Sequence, residues 1–405
     1  MLFNKKTVRD VELKNKRVLM RVDFNVPIYK NNILDDIRIR STIPTIQYVL
    51  DKNASIILLS HLGRPSGINR DYSLKPIGIR LRELLPDTNV IIMDDCVGPE
   101  VLKCAKKLKP GEIMLCENTR FYKQEGMRPY GSGERIEQNN FAKMLAKLGD
   151  VYVNDAFGTI HRSHASIMLT CKYIKHSVAG LLMEKEIDNL QYIISNIKEL
   201  FVVIVGGAKI SDKIWAIKKL VPKVNYMLIG GGIAYTFLKA QGYNIGKSIC
   251  DDSVVNVAKD IIDSAKFYNT KIFLPIDHVV VKDTDADNFE IINTRDISDG
   301  HIGMDIGPQT VAFYGDIISY ASTVIWNGPM GFFEKPNFSQ GTSQIAKMLA
   351  ESNAVSVVSG GDSIAALQKN KSLDYITHVS TGGGSVLDFL SEDGILPGLI
   401  VLEDK

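Results

Sequence analysis

Five consecutive apolar residues, Phe201 to Val205, run straight into Gly206-Gly207 and then toward two lysines, Lys209 and Lys213. An apolar, mostly β-branched run of this length reads as a strand covered on both faces, which belongs in a parallel sheet flanked by helices. The glycine pair lets the backbone turn sharply and come close to something else. If the lysines lie on the helix that follows, their spacing of four puts them on one face. Strand, glycine turn and helix start are the parts with which α/β proteins hold phosphate: free N–H groups, a positive dipole end and a fixed cation. The plain alternative is a strand-to-helix connection with two solvated lysines. The stretch is not a Walker A loop; the nearest match, GYNIGKS at 242–248, is one residue short, and G-x-G-x-x-G is absent.

The same grammar recurs along the chain. The pattern predicts strands at 17–25, 55–60, 90–94, 112–117 and 151–155, alternating with helices near 37–52, 74–85, 99–108 and 136–148. It then predicts strands at 201–205, 226–229, 271–275, 323–326, 355–358 and 376–379, with helices near 212–220, 233–241, 253–266, 308–321, 342–351 and 364–368. Alternation of this kind means βαβ units and mostly parallel sheets. At 405 residues the chain exceeds one ordinary core, so two or three domains are expected. Between the halves, Leu182, Met183, Ile187, Leu190, Ile193 and Ile194 keep a helical period through 179–199, a stiff linker. The polar stretch 123–138, with Pro129, Gly131 and Gly133, reads as a surface loop.

Two weaker motifs fail on inspection. Asp283-x-Asp285-x-Asp287 begins like a calcium loop, but Asn288 and Thr294 stand where glycine and glutamate are needed, which leaves a solvated acidic loop. His161 and His164 are a histidine pair without a third ligand nearby. Net charge of +2 gives no reason to expect nucleic acid or a membrane surface, and no 18-residue apolar run occurs. Five scattered cysteines without a CxxC point to buried thiols in a reducing compartment, hence to a soluble, cytoplasmic protein.

Arginine is distributed unevenly. Thirteen of fourteen arginines lie at or before Arg162, the other being Arg295, whereas the second half carries the glycine runs. Arginine grips carboxylate or phosphate with two parallel bonds, while lysine acts as a point charge, so the halves are expected to bind different anions. In open α/β sheets ligands sit beyond the carboxyl ends of strands. In the first half those ends carry Asp23, Asn25, His61, Arg64, Arg120 and the run from Asp155 to Arg162, with Arg38 opening the first helix. That set suits a small, multiply charged anion bearing a hydroxyl, the arginines taking its anionic ends and Asp23 and Asn25 the hydroxyl. In the second half the ends carry Gly206-Gly207, Gly230-Gly231-Gly232, Asn327-Gly328-Pro329, Gly360-Gly361-Asp362 and Gly382-Gly383-Gly384. Glycines there admit a base or a phosphate chain, and Asp362 could hold Mg²⁺ on a nucleotide or simply cap a helix.

These residues carry a resemblance to the phosphoglycerate kinase family over essentially the full length. The motifs are RVDFNVP at 21–27, SHLGRP at 60–65, ENTRF at 117–121, VNDAFGTIHRSH at 153–164, GGAKISDK at 206–213, IGGGIAYTFLKA at 229–240, IWNGPMGFFE at 325–334 and HVSTGGG at 378–384. The resemblance implies two Rossmann-like, doubly wound domains: residues 1–178 for 3-phosphoglycerate or 1,3-bisphosphoglycerate, and 200–391 for Mg-ADP or Mg-ATP, joined by the helix 179–199. It implies that the tail from about 392 to 405 returns to the first domain, and that the protein is a monomer. Matching positions imply substrate contacts at Asp23, Asn25, Arg38, His61, Arg64, Arg120 and Arg162. They imply nucleotide contacts at Gly207, Ala208, Lys209, Lys213, Gly231, Asn327, Pro329, Glu334 (to the ribose), Gly361, Asp362 and Ser363.

The chain departs from the family pattern at Ser359, where a glycine is usual, and at Ser385-Val386; the stretch 123–138 is longer than usual and has no assigned role. In the ATP-using direction the nucleophile is a carboxylate with no proton to lose, so no general base is needed. Catalysis then reduces to positioning and charge stabilisation, with Arg38 and Lys209 as the expected cations, backbone N–H groups at Gly361 and Gly384, and Mg²⁺ through Asp362. Since these groups come from two domains, closure is expected when both ligands are bound. Two rivals stand beside this reading: a dinucleotide oxidoreductase, and a binding protein that keeps the fold without catalysis.

Overall fold

The structure, a computed structural model, describes residues 4–127, 132–197, 200–282 and 288–405. The chain forms two compact units, one of residues 1–191 with 395–405 and one of residues 192–394. The acidic loop 283–287, residues 128–131 of the polar stretch and residues 198–199 of the linker lie outside the described residues.

In the first unit the order is β1 (Arg17–Arg21), the short arms β2 (Ile28–Tyr29) and β3 (Asn32–Ile33), α1 (Ile37–Asp51), β4 (Ser55–Leu59), α2 (Lys75–Leu84), β5 (Val90–Ile92), α3 (Pro99–Lys107), β6 (Ile113–Leu115), α4 (Lys123–Gly126), α5 (Ser132–Ala146), β7 (Val151–Asn154), β8 (His176–Ala179) and α6 (Leu181–Ser195). Six of the strands form a parallel sheet in the order β5-β6-β4-β1-β7-β8. Helices cover both faces, so Val18, Met20, Ile56 and Leu58 are buried and pack in one core with Ile39, Ile46 and Val49 of α1. The passage between units falls inside α6, after Gln191, rather than at its ends.

The second unit repeats the plan with β9 (Phe201–Val205), α7 (Ile214–Leu220), β10 (Tyr226–Ile229), α8 (Gly231–Ala240), α9 (Val255–Phe267), β11 (Lys271–Phe273), β12 (His278–Val281), β13 (Glu290–Ile292), β14 (Ile302–Ile306), α10 (Pro308–Tyr320), β15 (Thr323–Asn327), α11 (Gln340–Glu351), β16 (Val355–Ser359), α12 (Gly361–Lys369), β17 (His378–Ser380) and α13 (Gly384–Ser391). Its parallel sheet runs β11-β10-β9-β15-β16-β17. The short α14 (Pro397–Ile400) belongs to the first unit, where Lys6 N–H donates to the Glu403 carbonyl at 2.8 Å and Glu403 N–H to the Ser177 carbonyl at 2.9 Å.

Three expectations are corrected. The stretch 123–138 is largely helical where described, as α4 and the start of α5. It looks like a loop because what it buries is polar: Glu125 and Gln138 are buried, while 132–137 form a solvated face. Next, Lys209 and Lys213 do not share a helix face, because α7 begins only at Ile214. A turn closed by Lys213 N–H on the Ile210 carbonyl at 2.8 Å separates them, leaving Lys209 exposed and Lys213 half-buried. Finally, the region between β11 and α10 forms an antiparallel sheet, β13-β12-β14, and β8 adds a sixth strand to the first sheet. These strands are three to five residues long and are defined by pairing with distant partners, so no periodic signal announces them.

Candidate active site

In the first unit the site is built where β1, β4, β6 and β7 end. Gly63 is its joint. Its N–H donates to Asn25 Oδ1 at 2.8 Å, and its carbonyl accepts from Arg120 at 2.5 Å. It holds φ +61°, and a Cβ there would lie 2.2 Å from the Tyr72 ring, so the sequence must place glycine here. Arg38, from the first turn of α1, donates to Asp23 at 2.7 Å and to the Asn25 carbonyl at 3.3 Å. Asp23 is therefore the carboxylate that orients Arg38, a role beyond the hydroxyl contact expected from sequence. Asn25 uses its side-chain oxygen on Gly63, which leaves the amide NH₂ as the part suited to a ligand hydroxyl.

Beside this cluster Arg64, Arg120, Arg162, Lys123 and His164 line a pocket of about 340 Å³. Burial first, then the neighbouring Arg162 and Arg21, lower the Arg120 pKa to about 10. It still carries its charge at neutral pH, and the crowding of like charges is what an arriving anion would relieve. His61 is buried, and burial together with Arg120, Arg21 and Arg38 pushes its pKa well below the usual value. It is therefore neutral, and Arg21 approaches Nδ1 at 3.3 Å. Nδ1 must then be the acceptor, so the N–H sits on Nε2.

Behind the pocket lies a polar network that sequence reasoning missed. Arg21 is fully buried, donates from Nε to Ser166 Oγ at 2.8 Å, and also reaches the Val22 carbonyl. Glu125 is fully buried and accepts from Ser166 N–H at 2.9 Å, Ser166 Oγ at 2.6 Å and Thr119 Oγ1 at 3.3 Å. An arginine ending the apolar run of β1 was the available signal for the first; Glu125 carried none.

In the second unit the ends of β9, β15, β16 and β17 lie side by side, Asn327 opposite both Val205 and Ser359, and Ser359 opposite Ser380. Backbone does most of the work here. Gly207, at φ +100°, donates its N–H to the Pro329 carbonyl at 2.7 Å. Gly231, at φ +60°, approaches so closely that a Cβ would lie 2.7 Å from both the Gly207 nitrogen and the Pro329 oxygen. Ala208 sits against Gly232, where an added Cβ would lie 3.1 Å from the Ala208 Cα. Lys213 donates to the Gly206 carbonyl at 2.8 Å and the Asn327 carbonyl at 3.2 Å. Burial of its ammonium, opposed by Asp362 and Asp212, lowers its pKa to about 8.

Asn327 is buried, and its amide donates to Ser359 Oγ at 2.8 Å and to the Gly383 carbonyl at 2.9 Å. Its side chain is thus the clamp between the starts of α12 and α13. Ser359, the departure from the family glycine, supplies the clamp's acceptor. Ser363 is buried too, and its hydroxyl accepts from Gly328 N–H at 2.9 Å. At the second departure, Ser385 holds the start of α13 by donating to the Gly382 carbonyl at 2.8 Å. Gly361 and Gly384 are the exposed first residues of α12 and α13, and a Cβ at either would meet open space.

Asp362 lies in the first turn of α12, and Glu334 and Lys209 are exposed. Burial and the charge of Glu334 raise the Asp362 pKa, partly opposed by Lys213. Among the described residues no group of three or more acidic, histidine or cysteine side chains is placed to hold a metal. Mg²⁺ usually takes one or two carboxylates and completes its shell with phosphate oxygens and water. A single aspartate with a second carboxylate near enough to disfavour its charge fits that pattern.

The chain is similar in sequence and in fold to known proteins. The sequence profile described as "Phosphoglycerate kinase" matches residues 8–393. The phosphoglycerate kinase of Dictyoglomus turgidum is 49% identical over 406 residues, covering 99% of this chain and 100% of its own. That of Borrelia hermsii is 46% identical over 400 residues, covering 98% and 99%. Among solved structures, phosphoglycerate kinase from Pyrococcus horikoshii aligns with a TM-score of 0.83 at 33% identity, and that from Coxiella burnetii with 0.76 at 37%, each covering 98% of both chains.

Proposed function

The chain belongs to the phosphoglycerate kinase family, and we propose that its two units divide the reaction's substrates between them. The activity is the family's: reversible phosphoryl transfer from 1,3-bisphosphoglycerate to ADP, giving 3-phosphoglycerate and ATP. A binding protein that only keeps the fold is not favoured. In our reading the first unit binds 3-phosphoglycerate or 1,3-bisphosphoglycerate through Asp23, Asn25, Arg38, His61, Arg64, Arg120 and Arg162. The observation that carries it is the pocket lined by Arg64, Arg120 and Arg162. Guanidinium groups match the planar ends of carboxylate and phosphate, and here they crowd one another until an anion arrives.

The second unit is read as the nucleotide site. Gly207, Ala208, Gly231 and Pro329 form a surface of bare backbone for base and ribose, with Glu334 at the ribose. Lys209, Lys213 and the N-termini at Gly361 and Gly384 face the phosphates, while Asn327 and Ser363 hold those parts in register. Asp362 would hold Mg²⁺, which when bound neutralises charge on the nucleotide phosphates.

The acceptor is the carboxylate of 3-phosphoglycerate, so no group in the chain has to remove a proton. What the protein contributes is orientation and a set of donors aimed at the transferring group. Arg38, already fixed by Asp23, and the exposed Lys209 are the side-chain donors, with Gly361 and Gly384 supplying backbone N–H. Direct transfer requires the two ligands to meet, and the pair together can favour a state that neither favours alone. The free state of all five thiols supports a reducing, cytoplasmic setting, and no helix among the described residues is long and apolar enough to cross a membrane. A monomer is proposed. A coupled assay for ATP consumption with 3-phosphoglycerate tests the function directly: turnover that requires both substrates and Mg²⁺ is expected, and its absence would overturn the reading.

A further inference from the structure

Glu125 lies in the stretch 123–138, yet it is among the most enclosed charged groups in the first unit. We infer that Glu125 is a positioning residue for the reaction: the buried carboxylate that holds Arg21 behind the substrate pocket and His164 in its wall. The inference rests on reading that pocket as the 3-phosphoglycerate site.

The contacts converge on one carboxylate. Oε1 lies 2.6 Å from Ser166 Oγ, 3.9 Å from Arg21 Nη2 and 3.7 Å from His164 Nδ1. Oε2 accepts from Ser166 N–H at 2.9 Å. Ser166 links the two charges, because its hydroxyl also takes Arg21 Nε at 2.8 Å. Arg21 then reaches His61 at 3.3 Å, and His61 Nδ1 lies 3.8 Å from Asp23, the carboxylate that aims Arg38. On the other side His164 lines the pocket with Arg120 and Arg162.

Without Glu125 the buried guanidinium of Arg21 would have no carboxylate in contact, since Asp23 is already engaged by Arg38. A fully buried charge that keeps hydrogen bonds but loses its counter-charge is costly to hold in place. The charged groups that act most on His164 are Glu125, Arg120 and Arg21, and Arg64, Lys123 and Arg162 line the same pocket. Burial, helped by Arg120 and Arg21, lowers the His164 pKa, and Glu125, the one negative group among these, opposes that shift. Burial opposes the charged form of Glu125, but His164, Arg21 and Ser166 together outweigh it and keep the group ionised. Thr119, the remaining donor, comes from the same turn as Arg120, so the carboxylate also anchors the segment that carries a pocket arginine.

The test is Glu125→Gln in the full-length enzyme, which keeps the size and removes the charge. KM for 3-phosphoglycerate should rise about tenfold, with KM for ATP unchanged. The titration of His164, followed by NMR, should move to lower pH than in the parent protein, a change that a purely structural role would not cause. His164→Asn should raise the same KM, and the double variant should be no worse than the more damaged single one. Arg120→Ala is the control for the pocket. If Arg120→Ala raises KM for 3-phosphoglycerate while Glu125→Gln leaves it within twofold, the inference about Glu125 is wrong and the pocket reading stands. If Arg120→Ala also leaves it unchanged, both fall. Should Glu125→Gln fail to fold, His164→Asn decides alone: an unchanged KM for 3-phosphoglycerate overturns the inference.

Discussion

The two units share a sheet plan and differ in what they put at the strand ends. Both run six parallel strands with the first strand of the unit third from an edge, β1 from the β8 edge and β9 from the β11 edge. In the reading proposed above, the first unit answers an anion with side chains, Arg38, Arg64, Arg120 and Arg162, of which Asp23 holds Arg38 and Gly63 holds Arg120. The second answers with backbone, bringing Gly207, Gly231 and Pro329 within contact and capping the ends of α12 and α13 with glycine. Side-chain cations suit a small ligand that is nearly all charge, because each one can be placed independently. Bare backbone suits a larger ligand with a flat apolar part and a phosphate chain, because only glycine leaves room for both. The same architecture therefore specialises by what it adds at the strand ends or takes away from them.

The sharpest way to break this comparison is Arg38→Ala. Loss of a preorganised donor to the transferring group should cost about 10²–10³ in kcat and leave nucleotide affinity nearly unchanged. A variant with near-normal kcat would remove Arg38 from the mechanism. Asp362→Ala should weaken Mg-nucleotide binding roughly 10- to 100-fold while 3-phosphoglycerate binding is retained. Calorimetric titration with each ligand separately decides it, and equal losses for both would end the division between the units. Gly231→Ala probes the backbone side. Forcing a Cβ into φ +60° costs about 1–2 kcal/mol even before the 2.7 Å contact with Gly207 is counted. Nucleotide affinity should fall about tenfold with no change for 3-phosphoglycerate, and an unaffected nucleotide Kd would show that the close approach is not used.

The smallest effect is in pH. The Lys213 pKa is lowered from 10.5 to about 8, so above that value the folded chain releases a proton that the unfolded chain still holds. The stability penalty of burying this ammonium is present below pH 8 and relieved as pH rises toward 10.5, so this group makes stability rise with pH there. Nucleotide affinity should move the opposite way, falling a few-fold between pH 7.5 and about 8.5 as the cation is lost. Lys213→Arg should flatten the affinity profile. Parallel rather than opposed trends would mean that Lys213 does not meet the phosphates.

Much of the candidate site was legible because its residues sit at strand ends, and strand ends follow from short apolar runs. Asp23, His61, Arg64, Arg120 and Asp362 are all found that way. Arg21 and Glu125 were not, because their meaning lies in a contact between residues 104 positions apart in sequence, made through Ser166. Lys213 shows a subtler limit. Its spacing from Lys209 is right for a helix face, but the turn at Ile210 keeps the helix from starting, and the two ammonium groups end in different surroundings. The β13-β12-β14 sheet was missed because β12 owes its place to pairing and even shifts register between Val279 and Val280.

The two chain ends are tied together within one unit: Lys5 pairs with Asp404, and Lys405 N–H donates to the Asn4 carbonyl at 3.0 Å. This has a consequence for biosynthesis. The ribosome delivers the arginine-bearing unit first, but its last piece, residues 395–405, only after every residue of the glycine-rich unit has emerged. The unit begun first is thus the one finished last, while the other is a continuous segment that can fold as it leaves the tunnel. Removing residues 395–405 is expected to leave the second unit uninterrupted and to take α14 and the Lys5–Asp404 pairing from the first.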